Sequence, residues 1–162
     1  MVKQNMLIQM EKLSSIGEFD FIAKIKSSCN GIPADIMGIG DDCAILPYDD
    51  KEELLVSCDL LIENIHFIRN KISPNDIGWK SAAVNLSDIA AMGGTPWATF
   101  LSIALPADLS LQWAEDFIGG YMACLNQYGV LLLGGDTTSS KGDIAINVTV
   151  IGKVLKGKAK LR

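Results

Sequence analysis

Hydrophobic positions recur along this chain with two periods, and the switches between them mark the elements. In Gly17–Lys26, Phe19, Ile22 and Ile25 return at helical spacing, with acids early and lysines late as the helix dipole favours. Asn30-Gly31-Ile32-Pro33 ends that helix. Ala44-Ile45-Leu46 reads as a short strand and Pro47-Tyr48-Asp49-Asp50 as a turn. The continuous apolar run of Glu53–Leu60 predicts a buried strand ending at a carboxylate, Asp59, and Leu61–Ile72 reads as a loop. Ser73-Pro74-Asn75-Asp76 supplies a cap, a proline at the first helical position and an early acid. The helix it opens runs to Met92, stops at Gly93-Gly94, and is apolar nearly all round, which predicts burial. Thr95–Leu105 alternates Trp97, Thr99, Leu101 and Ile103 against Ala98, Phe100, Ser102 and Ala104, the pattern of a strand. Leu111–Tyr128 is a second helix whose stripe of Trp113, Phe117, Tyr121, Cys124/Leu125 and Tyr128 reads as core. Val130–Leu133 is a buried strand opening into a Gly134–Gly142 loop, and Asp143–Ile151 is a strand. The sum is an α/β (α+β) fold, a mixed sheet packed with two main helices.

Composition narrows this picture. The chain has 162 residues, 49% hydrophobic and 20% charged, as expected of one soluble globular domain with a sizeable core. No apolar run reaches the roughly 18 to 20 residues of a membrane span, and Met1–Met10 has no signal-peptide pattern. Residues 1–16 read as an irregular extension. Cys29, Cys43, Cys58 and Cys124 form no Cys-x-x-Cys pair and sit in apolar surroundings, so reduced, mostly buried thiols and a cytoplasmic setting are expected. The net charge of −5 is uneven: Lys153, Lys156, Lys158, Lys160 and Arg162 crowd residues 152–162, and without them nine bases face nineteen acids. An acidic body excludes nonspecific nucleic-acid binding and suits a protein that gathers cations. The basic end reads as a solvated linker or as a tail contacting phosphate.

Four carboxylates share a context. Gly38-Ile39-Gly40-Asp41-Asp42-Cys43 is a glycine-loosened, acid-tipped loop, and paired carboxylates repel unless solvent, hydrogen bonds or a cation relieves them. Asp59 closes a strand, although a strand terminus facing solvent reads the same way. Asp88 shares one narrow stripe with Ser81 and Asn85 on an otherwise apolar helix, where a buried carboxylate is costly unless paired or metal-bound; a partly exposed Asp88 is the alternative. Asp136 follows two glycines and precedes Thr137-Thr138-Ser139-Ser140, a place either for phosphate oxygens or for a plain hairpin turn. Acidic oxygens without histidine or thiolate spacing indicate a hard cation, Mg²⁺ first and Mn²⁺ or Ca²⁺ next, and Mg²⁺ usually serves phosphates. His66 is the one histidine, which makes zinc an unlikely partner, and a lone histidine is more often structural or exposed than catalytic. The Gly-x-x-x-x-Gly-Lys-Ser/Thr loop is absent, and the opening Gly-x-Gly-x-x-Cys fails the dinucleotide pattern.

In order along the chain, Gly38–Ala44, Ser57-Cys58-Asp59 with Glu63-Asn64-Ile65-His66-Phe67, Lys80–Gly93 and Gly134–Thr138 resemble the successive motifs of the thiamine-monophosphate kinase family. Aminoimidazole ribonucleotide synthetase, selenophosphate synthetase and a hydrogenase maturation factor share the same plan, so the resemblance implies the N-terminal domain of an aminoimidazole ribonucleotide synthetase-like fold. It implies transfer of the ATP γ-phosphoryl group to thiamine monophosphate, giving thiamine diphosphate. Asp42, Asp59, Asp88 and Asp136 would ligate Mg²⁺ with Ser57 and Cys58; Gly135 and Asp136 would meet ATP, and His66 the thiamine substrate. Cys58 stands where the family has threonine, which matters only if a hydroxyl binds metal, and Asn64 replaces a glycine in the substrate loop. The resemblance further implies a kinase domain over residues 17–154, an interdomain linker beginning over 155–162, a second domain that this chain lacks, and N-terminal sheets that pair into a barrel across a homodimer. The isolated chain is then expected to be inactive. A non-catalytic dimerisation and metal-binding module, or another ATP-dependent enzyme of the superfamily, is the alternative.

Overall fold

The side chains of β5 (Ala145–Leu155) alternate between buried and half-exposed along its whole length, and this central strand fixes which face of the sheet is core. The computed structural model describes residues 17–162; the extension expected over residues 1–16 lies outside them. The chain divides into two units between Pro33 and Ala34. In the first, α1 (Glu18–Ser28) carries Glu18 and Asp20 in its opening turn and Lys26 in its last. The second holds β1 (Ala44–Pro47), β2 (Glu52–Ile62), α2 (Pro74–Ala91), β3 (Thr95–Pro106), α3 (Leu111–Tyr128), β4 (Leu131–Ser140) and β5. Its five strands form one mixed sheet in the order β1-β2-β5-β3-β4. Only β3 and β4 are parallel, as their connection through a crossover helix, α3, requires. The expected mixed sheet with two main helices is thus the observed one.

Ile146, Val148 and Val150 of β5 join Leu55 and Leu61 of β2, Leu101 and Ile103 of β3, and the inner faces of α2 and α3 in one core. Ser73 caps α2 as expected: its hydroxyl accepts from the Asp76 N–H at 3.1 Å and donates to the Asp76 carboxylate at 2.6 Å. The α2 helix is less enclosed than its composition suggests, because Ser87, Ala90 and Ala91 face outward.

Five further expectations are corrected. Asp59 does not close β2; Leu60–Ile62 continue it, paired with Asn147, Ile146 and Ala145. Gly134–Ser140 is not a loop but the second half of β4, held in register with Phe100–Pro106 by the length of β3. Because β3 lies between them, β4 and β5 are not a hairpin. The alternation of β3 slips at Trp97, where an irregularity between Pro96 and Ala98 leaves Trp97 exposed and Ala98 and Thr99 both buried. The cysteines are free, but only Cys43 and Cys124 are buried; Cys29 and Cys58 are exposed.

The helices α2 and α3 touch through backbone. A Cβ on Gly120 would lie 1.8 Å from the Asn75 carbonyl oxygen, and one on Gly78 2.0 Å from the Phe117 carbonyl oxygen. No side chain can yield there, because both obstacles are main chain. We expect Gly120→Ala to lower unfolding stability by about 1–3 kcal/mol or more in urea denaturation. Gly119→Ala, whose Cβ would meet only the Asn75 amide at 3.7 Å, should be neutral or gain up to about 1 kcal/mol from helix propensity.

Candidate functional site

The acid-tipped loop is pinched at its base. Met37 and Ile45 exchange backbone hydrogen bonds of 3.0 and 2.8 Å, and the buried Cys43 N–H donates to the Met92 sulfur at 3.0 Å. Asp41 accepts from the Asp42 N–H at 2.9 Å and from the Arg162 N–H at 3.0 Å. These two N–H groups hold its carboxyl below the usual range. Asp42 instead takes the Arg162 guanidinium. The basic end is therefore not a free solvated tail: Lys156 and Lys160 donate main-chain bonds to the Lys51 and Met92 carbonyls, and Gly157 donates to the Glu53 carboxylate.

The second wall comes from β2 and α2. Because β1 pairs with β2 only from Glu53 to Val56, the β2 edge is bare around Asp59. Asn85 of α2 covers it: its side-chain oxygen accepts from the Asp59 N–H at 3.2 Å, and its amide donates to the Ser81 carbonyl at 3.0 Å. One turn on, Asp88 accepts from the Ser57 hydroxyl at 2.7 Å. Burial pushes the Asp88 carboxyl up; the Ser57 hydrogen bond opposes this, the charges of Asp59 and Asp42 add to it, and Arg162 offsets part. Burial, with the Asp88, Asp42 and Asp41 charges behind it, pushes the Cys43 thiol up to about 12, so no thiolate forms there. Cys58 is exposed on β2 between Ser57 and Asp59, with its sulfur 3.0 Å from the Asn147 amide and 3.6 Å from the Thr149 hydroxyl. Its side chain thus projects from the face opposite Ser57 and Asp88, which leaves only its backbone for a role beside them.

The structure brings Asp42, Ser57, Asp59 and Asp88 to one corner but leaves Asp136 elsewhere. Asp136 is in register with Ser102 on the edge strand β4, and three strand spacings, about 14 Å, separate β4 from β2. Gly135 precedes it with φ +150° and packs so tightly that a Cβ would lie 1.7 Å from the Leu101 carbonyl oxygen. Among the described residues no three carboxylate, thiol or imidazole groups stand close enough to hold an ion between them. The donor chemistry at the Asp42 corner still fits Mg²⁺, which takes one or two carboxylates and completes its shell with water and phosphate. The donors are oxygens, they repel one another, and a cation, the Arg162 guanidinium, already rests on Asp42.

His66 lies in a tight turn after β2. Its N–H donates to the Ile62 carbonyl, and its Nδ1 accepts from the Ile62 N–H at 2.9 Å. In the neutral ring the proton therefore sits on the outward Nε2. Lys80 of α2 donates to the His66 carbonyl at 2.6 Å. Asn64 has φ +64°, the left-handed region that asparagine tolerates where glycine is usual. Its amide donates to Asp143 at 3.0 Å, which ties the turn to the segment before β5. Sequence reasoning missed Arg69 and Arg162 as partners. Arg69 pairs with buried Glu63 at 2.8 and 2.7 Å, an i to i+6 contact across a turn that no local periodicity reveals.

A five-stranded mixed sheet packed with two main helices, with an acidic loop at a bare strand edge, is the α/β frame of this site. Residues 40–154 match the family model for the N-terminal domain of AIR synthase related proteins, and the chain belongs to that family. It is 41% identical over 146 residues to a curated thiamine-monophosphate kinase of Buchnera aphidicola subsp. Acyrthosiphon pisum, covering 90% of this chain and 44% of that one. It is 42% identical over 142 residues to the thiamine-monophosphate kinase of Synechococcus elongatus, covering 88% and 42%. Among solved structures, AaThiL complexed with AMPPCP and TMP superposes with a TM-score of 0.82 at 34% identity, covering 90% of this chain and 45% of that one. The chain spans less than half the length of these relatives.

The raised Asp88 carboxyl has a pH consequence. The folded state binds its proton more tightly than the unfolded state, whose aspartate titrates near 3.8. The cost of charging it is absent below that pH and grows as pH rises through the folded value, so it is present at neutrality. Asp88→Asn should therefore raise the urea midpoint at pH 7, and the difference from the parent should vanish below pH 4.

Proposed function

We propose that this chain is the nucleotide- and Mg²⁺-binding half of a kinase that transfers the γ-phosphoryl group of ATP to thiamine monophosphate, in thiamine diphosphate biosynthesis in the cytoplasm. The observation that carries this reading is the convergence of Asp42, Ser57, Asp59 and Asp88 at the bare edge of β2, in a chain so similar to thiamine-monophosphate kinases. Mg²⁺ would take one or two of the Asp42, Asp59 and Asp88 carboxylates directly and reach the rest through water, with Ser57 orienting Asp88 and the Cys58 backbone beside them. Bound there, the ion would draw phosphate oxygens toward an acidic wall and offset the charge that develops on them. Gly135 and Asp136 would lie against ATP, and any ion that Asp136 holds would be separate from one at the Asp42 corner, since three strand spacings lie between them.

The acceptor is a phosphate already ionised at neutral pH, so no strong general base is required, and none of these residues is assigned as one. The task of the protein is to bring two polyanions together. The outward Nε2–H of His66 would donate to the thiamine substrate. Arg162 would serve as a counter-charge for Asp42 that the metal replaces.

The face of the sheet away from the helices leaves Leu60, Trp97 and Phe100 exposed. This supports pairing of two sheets into a barrel across a homodimer, since exposed apolar clusters on a sheet face usually meet a partner. Sedimentation velocity should show a dimer, and Phe100→Glu should convert it to a monomer.

The activity test needs this chain together with the remainder of its relatives' length. Supplied with ATP, Mg²⁺ and thiamine monophosphate, that protein should form thiamine diphosphate, and Asp88→Asn should slow it on the order of 10²-fold. Unchanged rate and Mg²⁺ dependence in the variant would remove Asp88 from the site. The 162-residue chain by itself should turn over little or not at all, while Mg²⁺ raises its melting temperature; a chain that binds Mg²⁺ and dimerises but stays inactive when completed would favour the non-catalytic module.

A further inference from the structure

The most heavily fastened turn in the described residues is the one that carries His66. Glu63, 7% exposed, sits at its base, and its carboxylate accepts three bonds. Its carboxylate receives the Arg69 guanidinium through two parallel bonds of 2.8 and 2.7 Å. It also accepts the Ile144 N–H at 3.0 Å, while the Glu63 N–H donates to the Ile144 carbonyl at 2.9 Å. Arg69 reaches the Gly142 carbonyl at 3.4 Å, and Asn64 bonds to Asp143. One side of the turn is thus sewn to the β4–β5 connection. Phe67, buried, closes it from below and accepts at its carbonyl from the Asn64 N–H at 2.8 Å.

A solvent-facing turn gains little stability from a half-buried ion pair, because desolvating the buried Glu63 carboxylate offsets much of the attraction. What a bidentate, three-way-satisfied carboxylate provides is direction: the planar guanidinium fork fixes both groups at once. Residues 63 and 69 flank His66 on either side, so the clamp closes the turn around it. We propose that Glu63 and Arg69 are positioning residues, a clamp that holds the His66 turn against the β4–β5 connection and keeps the imidazole in one tautomer with Nε2–H directed outward to a phosphorylated substrate. This rests on the reading of His66 as a substrate contact.

His66 is the only histidine in the sequence, so ring ¹⁵N NMR of the 162-residue chain reads its tautomer without ambiguity. The parent should show a single Nε2–H form with Nδ1 as acceptor. Glu63→Gln, which keeps an acceptor for the Ile144 N–H, and Arg69→Met, which keeps the aliphatic stem, should each give an averaged, tautomer-mixed ring while the rest of the fold is retained. In the chain completed to its relatives' length, both variants should raise KM for thiamine monophosphate on the order of tenfold or more and leave KM for ATP unchanged. A ring that stays locked in both folded variants, with only the denaturation midpoint lowered, would show a purely structural pair and overturn the proposal. His66→Ala separates the underlying reading: an unchanged KM for thiamine monophosphate in that variant removes His66 from the substrate site, whatever the clamp does to the ring.

Discussion

Everything at the candidate site depends on how one buried polar stripe of α2 meets the unpaired edge of β2. The short β1 leaves the Asp59 N–H without a strand to donate to, and a buried or half-buried donor in that state is costly. Asn85 removes the cost, and because its own amide is spent on the Ser81 carbonyl, its orientation is fixed. That single bond sets the rotation of α2 about its axis. With the rotation set, Asp88 falls opposite Ser57 and beside Asp59 and Asp42. The buried residues Ile77, Ala82, Leu86 and Ile89 and the Gly78 contact with α3 are consistent with the same rotation.

Electrostatics at this corner are arranged in opposition to folding. Asp42, Asp59 and Asp88 feel one another's charge, and local partners offset it: the Ser57 hydroxyl on Asp88 and the Arg162 guanidinium on Asp42, with backbone N–H groups on the neighbouring Asp41. The nearby cysteine stays a thiol, which keeps soft-metal chemistry out of a site built from oxygens.

Much of this was legible in the sequence, and for identifiable reasons. Periodicity located both main helices, and the Ser73-Pro74-Asn75-Asp76 cap placed the start of α2. The Ser81, Asn85 and Asp88 stripe stood out because polar residues at offsets of four and three are anomalous on so apolar a helix. What remained hidden was whatever depends on pairing between distant segments. Gly134–Ser140 reads as a loop because glycines and hydroxyls signal turns; only the long β3 beside it makes a strand. Trp97 breaks the alternation of β3 through an irregularity fixed by its neighbours. Arg162 on Asp42 and Arg69 on Glu63 are contacts across tertiary space and across a turn, with no spacing rule to expose them. The separation of Asp136 from the other three acids follows from strand order, which similarity of context along a chain does not encode.

The reciprocal glycine contact between α2 and α3 has a dynamic meaning. Gly78 fits against the main chain at Phe117 and Gly120 against that at Asn75, so neither helix can slide by a residue without driving a side chain into a carbonyl. The helical layer behaves as a single stiff plate, and the Asn85 bond rivets β2 to it. Relative motion of α2, α3 and β2 is thereby restricted, and the polar stripe of α2 keeps its register against Ser57 and Asp59.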